Sequence, residues 1–125
     1  MAKILIAEDE RDIRDLVSFT LNFAGHEVIA VGNGAEAVEA AGKVSPDLIL
    51  MDVRMPRMTG YEACEIMKAD PQLSRIPVVF LSAKGQESEI RTGLEAGAAE
   101  YILKPFAPAE LTQAVNDLLE KYGKQ

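Results

Sequence analysis

A doubly wound α/β sandwich, a five-stranded parallel sheet between two layers of helices, is the fold this sequence predicts. Three observations point to it. Short, continuously apolar runs rich in Val, Ile and Leu recur along the chain, segments with a helical period separate them, and the connections are short. Continuous rather than alternating runs suggest strands covered on both faces, as in a parallel sheet. Alternation of such strands with helices from end to end then gives the layered architecture.

The elements follow in order. Ile4 to Ala7 is the first strand. After it, Ile13, Leu16, Val17, Thr20, Leu21 and Ala24 fall on the i, i+3, i+4, i+7, i+8, i+11 template of an amphipathic helix. Gly25 sits where that helix needs a left-handed residue to stop. Val28 to Val31 is the second strand, and Asn33 with Glu36 makes a capping box for the second helix, which Gly42 ends. Leu48 to Met51 is the third strand. Thr59 with Glu62 caps the third helix, whose stripe Gly60, Ala63, Cys64 and Met67 faces the core. Val78 to Leu81 is the fourth strand, and Gly97 closes the fourth helix. Tyr101 to Leu103 is a shorter fifth strand. Pro108 suits the first turn of the last helix, where Leu111, Ala114, Val115, Leu118, Leu119 and Tyr122 repeat the template.

Bulk properties narrow the function. A chain of 125 residues, 48% of them apolar, makes one domain over residues 1–125, with a real core and no need of disulfides. No apolar run approaches a membrane span, and no signal-peptide pattern opens the chain. The lone cysteine, Cys64, cannot form an internal disulfide, so a cytoplasmic home is expected. A net charge of −7 argues against a nucleic-acid or anionic-membrane surface. His26 reads as a surface turn residue, and Met55 and Met58, flanking Pro56, read as packing.

Chemistry gathers at the strand ends. Glu8, Asp9 and Glu10 follow the first strand, Asp52 the third, Ser82 the fourth, and Lys104-Pro105 the fifth. In a parallel sheet these residues meet at the carboxyl edge, where such folds bind ligands. Any one of them is ordinary as a cap, a turn or a solvated charge; their convergence is not. Two carboxylates about 4 Å apart repel by roughly 4 kcal/mol at an effective dielectric near 20. Glu8, Asp9 and Asp52 together therefore call for a cation. Oxygen donors with no His or Cys nearby suit Mg²⁺, which keeps waters and bridges to phosphate. Lys104 adds a second positive charge and Ser82 a hydrogen-bond donor, a set that suits a phosphoryl group carried on a carboxylate.

In ILIAEDE, DLILMDVRMPRMTGYE, PVVFLSA and GAAEYILKPF the sequence resembles the receiver domain of two-component response regulators, across residues 3–122. The resemblance implies the flavodoxin-like strand order 2-1-3-4-5. It implies that Asp52 is the phosphoacceptor, and that Asp9, Asp52 and the Arg54 backbone carbonyl hold Mg²⁺, with Glu8 acting through a metal-bound water. Lys104 would pair with Asp52 and then with the phosphoryl group, aimed by a cis Lys104-Pro105 peptide. Ser82 and Tyr101 would form the switch, reshaping the face of the fourth helix, fifth strand and fifth helix. Arg54 and Lys84 would look out over the phosphoryl group and set its lifetime. The donor would be a sensor histidine kinase, a histidine phosphotransfer protein or a small phosphodonor; the recipient of the signal would be a partner protein or an output domain. Such a domain catalyses at most its own phosphorylation and dephosphorylation. Ala114 and Ile90 stand where activated dimers of the family carry basic residues, so a monomer is expected. The chain would be a stand-alone regulator or a receiver cut from a longer protein.

Three rivals fit less well. An Asp-nucleophile phosphatase of the haloacid dehalogenase type wants a second acid two residues after the nucleophile, where Arg54 stands. A flavodoxin-like cofactor binder wants a Ser/Thr/Gly-rich phosphate loop, where Glu8-Asp9-Glu10 would repel the phosphate. A docking module that is never phosphorylated has no need of the full set Glu8, Asp9, Asp52, Ser82 and Lys104.

Overall fold

The computed structural model describes residues 2–55, 57–83, 87–104 and 106–122. Strands and helices alternate throughout: β1 (Lys3–Ala7), α1 (Arg11–Phe23), β2 (Glu27–Val31), α2 (Gly34–Val44), β3 (Leu48–Asp52), α3 (Gly60–Ala69), β4 (Val78–Ala83), α4 (Glu87–Glu95), β5 (Glu100–Lys104) and α5 (Pro108–Tyr122). The strands form one parallel sheet in the order β2-β1-β3-β4-β5, the order the resemblance implied.

Strand side chains alternate between the two faces of the sheet, and the core is split accordingly. Leu5, Ala7, Ile49, Met51, Val78 and Phe80 pack with Ala37 and Ala41 of α2 and with Ala63, Cys64 and Met67 of α3. Ile4, Ile6, Leu48, Leu50, Val79 and Leu81 pack with Val17 and Leu21 of α1 and with Leu111, Val115 and Leu118 of α5. The helix α4 lies over β4, so close that a Cβ on Gly93 would come within 2.6 Å of the Phe80 ring.

Burial on both faces holds for β1, β3 and β4 but not for the two edge strands. In β2, Glu27 and Ala30 are exposed and the rest half-buried; in β5, Tyr101 and Leu103 are exposed. An edge strand has a neighbour on one side only, and the flanking helices do not reach fully over it. The template on α1 is likewise too broad. Val17 and Leu21 are fully buried while Leu16 is 42% exposed, because a helix seated on the sheet with one helical neighbour buries a narrow arc.

The helix ends bear out two glycines of three. Gly25 and Gly97 have φ of 99° and 110°. Gly42 instead lies inside α2, and the left-handed position is taken by Ser45 at φ 48°, just before Pro46, which cannot continue a helix. A Cβ on Gly42 would meet nothing within 4 Å. Gly42→Ala is therefore expected to stabilise the fold by about 0.5–1 kcal/mol, measured as a higher urea midpoint; a lower midpoint would contradict this reading of α2. The capping box of α3 is complete, Thr59 and Glu62 each accepting from the other's backbone N–H. At α2, Asn33 accepts from the Glu36 N–H, but Glu36 reaches one residue further, to the N–H of Gly32.

The loop residues Met55 and Met58 pack on the core as expected. The buried Cys64 does too: its thiol donates to the Ala96 carbonyl, and burial pushes its pKa up to about 11. His26 is half-buried rather than a free turn residue. Its Nδ1 accepts from the Ala2 N–H, so Nε2 carries the proton and donates to Asn116.

Candidate functional site

Backbone pairing runs past the apolar runs, and this is what aims the polar residues. Asp52 is the last residue of β3, Ser82 pairs with Leu103 inside β4, and Lys104 pairs with Ala83 at the end of β5. Glu8 lies just beyond β1, yet its N–H still bonds to the Val31 carbonyl at 3.1 Å, prolonging the ladder by one rung. Its carboxylate is consequently turned inward and is 0% exposed, whereas Asp9 is exposed.

Four of the expected residues come together. Glu8, Asp9 and Asp52 each offer an oxygen within 4.8 Å of the others. Lys104 Nζ donates to Asp52 Oδ1 at 2.9 Å and to Glu8 Oε1 at 3.2 Å. Ser82 is buried on the strand next to Asp52, 1% exposed. Arg54 is exposed two residues past Asp52, and Tyr101 on β5 is 40% exposed. The expectations for Lys84 and for the Lys104-Pro105 peptide fall on residues outside the described ones.

The electrostatics show how poorly one ammonium balances so acidic a cluster. Burial pushes the Glu8 carboxyl up and the charge of Asp52 pushes it further; Lys104 only partly offsets them. Burial likewise raises Asp52, against the hydrogen bond and charge of Lys104, with Asp9 adding to the rise. For Lys104 burial works against the charge, but the hydrogen bond and charge of Asp52, then Glu8, win and raise it. Three carboxylates face one ammonium. A divalent cation would balance the remainder, and the donor set fits Mg²⁺: all oxygen, no His or Cys in the group, and too few protein ligands to fill six positions.

Two supporting residues were not apparent from sequence. A Cβ on Gly60 would sit 2.3 Å from the Asp52 carbonyl and 2.9 Å from the Phe80 ring, so α3 starts hard against the strand end that carries Asp52. Sequence placed Gly60 on a stripe; nothing in a stripe signals such close approach. The second is Arg14, whose Nη1 donates to the Glu8 carbonyl at 2.9 Å from the first turn of α1. A cation six residues after Glu8 was the available signal.

The sequence model of the response regulator receiver domain matches residues 4–116. Among curated proteins, the "Probable transcriptional regulator ycf27" of Pyropia yezoensis is 38% identical over 122 residues, covering 98% of this chain and 49% of that protein. The "DNA-binding response regulator MtrA" of Mycobacterium leprae is 34% identical over 119 residues, covering 95% and 52%. The chain thus spans about half the length of the curated relatives it matches. Among solved structures, chemotaxis response regulator CheY4 of Vibrio cholerae superposes with a TM-score of 0.89 at 35% identity, over 95% of this chain and 99% of that one.

Proposed function

The chain belongs to the response regulator receiver domain family, and on that premise we propose that it takes a phosphoryl group onto Asp52 and signals through the change of shape that follows. The observation that carries this reading is the cluster itself: one nearly buried carboxylate held by Lys104, with two further acids beside it, at the carboxyl edge of the sheet.

In the proposed reaction an Asp52 carboxylate oxygen bonds to phosphorus as the bond from phosphorus to the donor breaks, the electron pair leaving with the donor's imidazole or, for acetyl phosphate, its carboxylate. Asp9, Asp52, the Arg54 carbonyl and, through water, Glu8 would hold Mg²⁺, which when bound offsets charge on the phosphoryl oxygens. Lys104 holds Asp52 Oδ1 beforehand and moves its charge to the phosphoryl group afterwards. Ser82, one residue along the neighbouring strand, then donates to a phosphoryl oxygen. Tyr101, now exposed, turns into the space Ser82 leaves, and the α4-β5-α5 face changes for a partner. Such a change extends only as far as the phosphoryl group prefers one state over the other. The donor is a sensor histidine kinase or histidine phosphotransfer protein, and the reader of the face is a partner protein or an output domain.

The test is phosphoryl uptake from acetyl phosphate. Uptake is expected with Mg²⁺, to be lost in chelator, and to be lost in Asp9→Ala. Mg²⁺ binds the folded cluster and not the unfolded chain, so it also stabilises by mass action, about 1.4 kcal/mol at ten times its Kd. Uptake that ignores both the chelator and Asp9→Ala would sink the metal assignment.

Arg54 sets how long the phosphoryl group stays. Hydrolysis needs a water in line with phosphorus, opposite the Asp52 oxygen, and a long planar guanidinium two residues on can lie across that approach. Its charge also favours the attacking oxygen, but Lys104 and Mg²⁺ already neutralise the site, so exclusion of water dominates. Arg54→Asn is expected to lose phosphate several-fold faster; decay equal to or slower than wild type would overturn the role.

A further inference from the structure

We propose that Arg14 is a positioning residue of the cation site, holding the peptide that joins Glu8 to Asp9 so that both carboxylates face Asp52; this rests on the reading of Glu8, Asp9 and Asp52 as Mg²⁺ ligands.

The argument begins where the sheet stops. The Glu8 N–H bonds to Val31, and β2 ends there. The chain then turns away from β1 into α2, which begins at Gly34. The Glu8 carbonyl is thus left at the open end of the ladder, and Arg14 Nη1 meets it at 2.9 Å. Arg14 reaches that point past Gly32, where a Cβ would come within 3.2 Å of the same Nη1 and 3.9 Å of Glu36 Oε1. The guanidinium therefore passes close by Gly32, between α1 and the start of α2.

What it fixes is the geometry of two ligands at once. The Glu8 carbonyl and the Asp9 nitrogen share one planar unit, so a donor on that carbonyl sets the direction in which Asp9 leaves the strand. Glu8 is held from the other side as well, its Oε2 accepting from the Glu10 N–H at 3.2 Å. The start of α1 gives this turn little other support, because Glu10 at the N-cap makes no side-chain capping bond. Partners that orient metal ligands change affinity about 10- to 100-fold when removed.

Charge alone predicts the opposite sign. A guanidinium near the site repels a dication, so on electrostatics Arg14→Ala would bind Mg²⁺ more tightly. Positioning predicts weaker binding, and the direction separates the two.

Mg²⁺ titration of wild type, Arg14→Ala, Arg14→Met and Arg14→Lys, by calorimetry, tests the proposal, with Asp9→Ala as control. Arg14→Ala and Arg14→Met are expected to weaken Mg²⁺ about 10-fold, Arg14→Met keeping the aliphatic packing should the Ala variant fold poorly. Arg14→Lys, which keeps a charged donor, is expected to recover most of the affinity. In acetyl phosphate uptake the Mg²⁺ half-saturation should rise while the rate at saturating Mg²⁺ is kept; a merely structural lesion would lower that plateau. Unchanged or tighter Mg²⁺ binding in a folded Arg14→Met, beside an Asp9→Ala that has lost it, overturns the proposal alone. A wild type that binds no Mg²⁺ overturns the metal reading beneath it.

Discussion

Asp52→Asn is expected to accept no phosphoryl group from acetyl phosphate and, in chelator, to unfold at a higher temperature than wild type. The first effect follows from chemistry: an amide oxygen is a poor nucleophile. The second follows from charge. Asn has almost the shape of Asp, and it removes one of three carboxylates whose oxygens lie within 4.8 Å of one another. Lys104 keeps an acceptor on Asn and keeps Glu8 as its ion-pair partner. Relief of repulsion is therefore partly offset by the weaker bond at residue 52. A net gain of about 1 kcal/mol is expected, or about 3–6 °C in a domain of this size. Phosphoryl uptake at the wild-type rate, or a destabilised variant, would contradict this account of the cluster.

Lys104→Met acts in the reverse direction and should give the largest loss of stability at the site. Its ammonium faces Glu8, which is 0% exposed, and Asp52, which is 7% exposed. Removing one partner of a buried ion pair typically costs about 3–5 kcal/mol, since it strands the opposite charge. The Lys104 side chain is itself 20% exposed, so water screens part of the interaction and about 2–4 kcal/mol is expected in chelator. Met fills most of the volume of the lysine stem, which keeps cavity formation out of the result. Saturating Mg²⁺ should restore part of the loss, because a dication supplies the charge that was removed. Urea denaturation with and without Mg²⁺ reads both effects. A loss below about 1 kcal/mol in chelator would mean that the carboxylates are solvated and that Lys104 does not hold them.

The architecture and much of the candidate site could be read from sequence for one physical reason. Parallel strands all present their carboxyl ends at one edge, so locating Ala7, Met51, Leu81 and Leu103 as the ends of apolar runs was enough to bring Glu8, Asp52, Ser82 and Lys104 together. What escaped notice depends on neighbours that a one-dimensional pattern does not encode. The run in β2 resembles that in β3, yet only strand order decides that Ala30 is exposed while Leu50 is buried. Gly42 has the composition of a helix stop, but α2 continues until Pro46 forces its end. Gly60 and Arg14 act on backbone carbonyls, those of Asp52 and Glu8. A carbonyl is present at every residue and marks nothing in a sequence.

The central claim is that residue 52 carries the phosphoryl group, and it can be tested at that residue. Protein treated with acetyl phosphate and Mg²⁺ is reduced with borohydride, which converts an acyl phosphate to the corresponding alcohol, then digested and mapped by mass. The account predicts reduction of Asp52 to homoserine within the peptide that contains it, dependent on Mg²⁺. A phosphoryl group found on Asp9 or Ser82, or no modified peptide under conditions that phosphorylate another receiver, would contradict it.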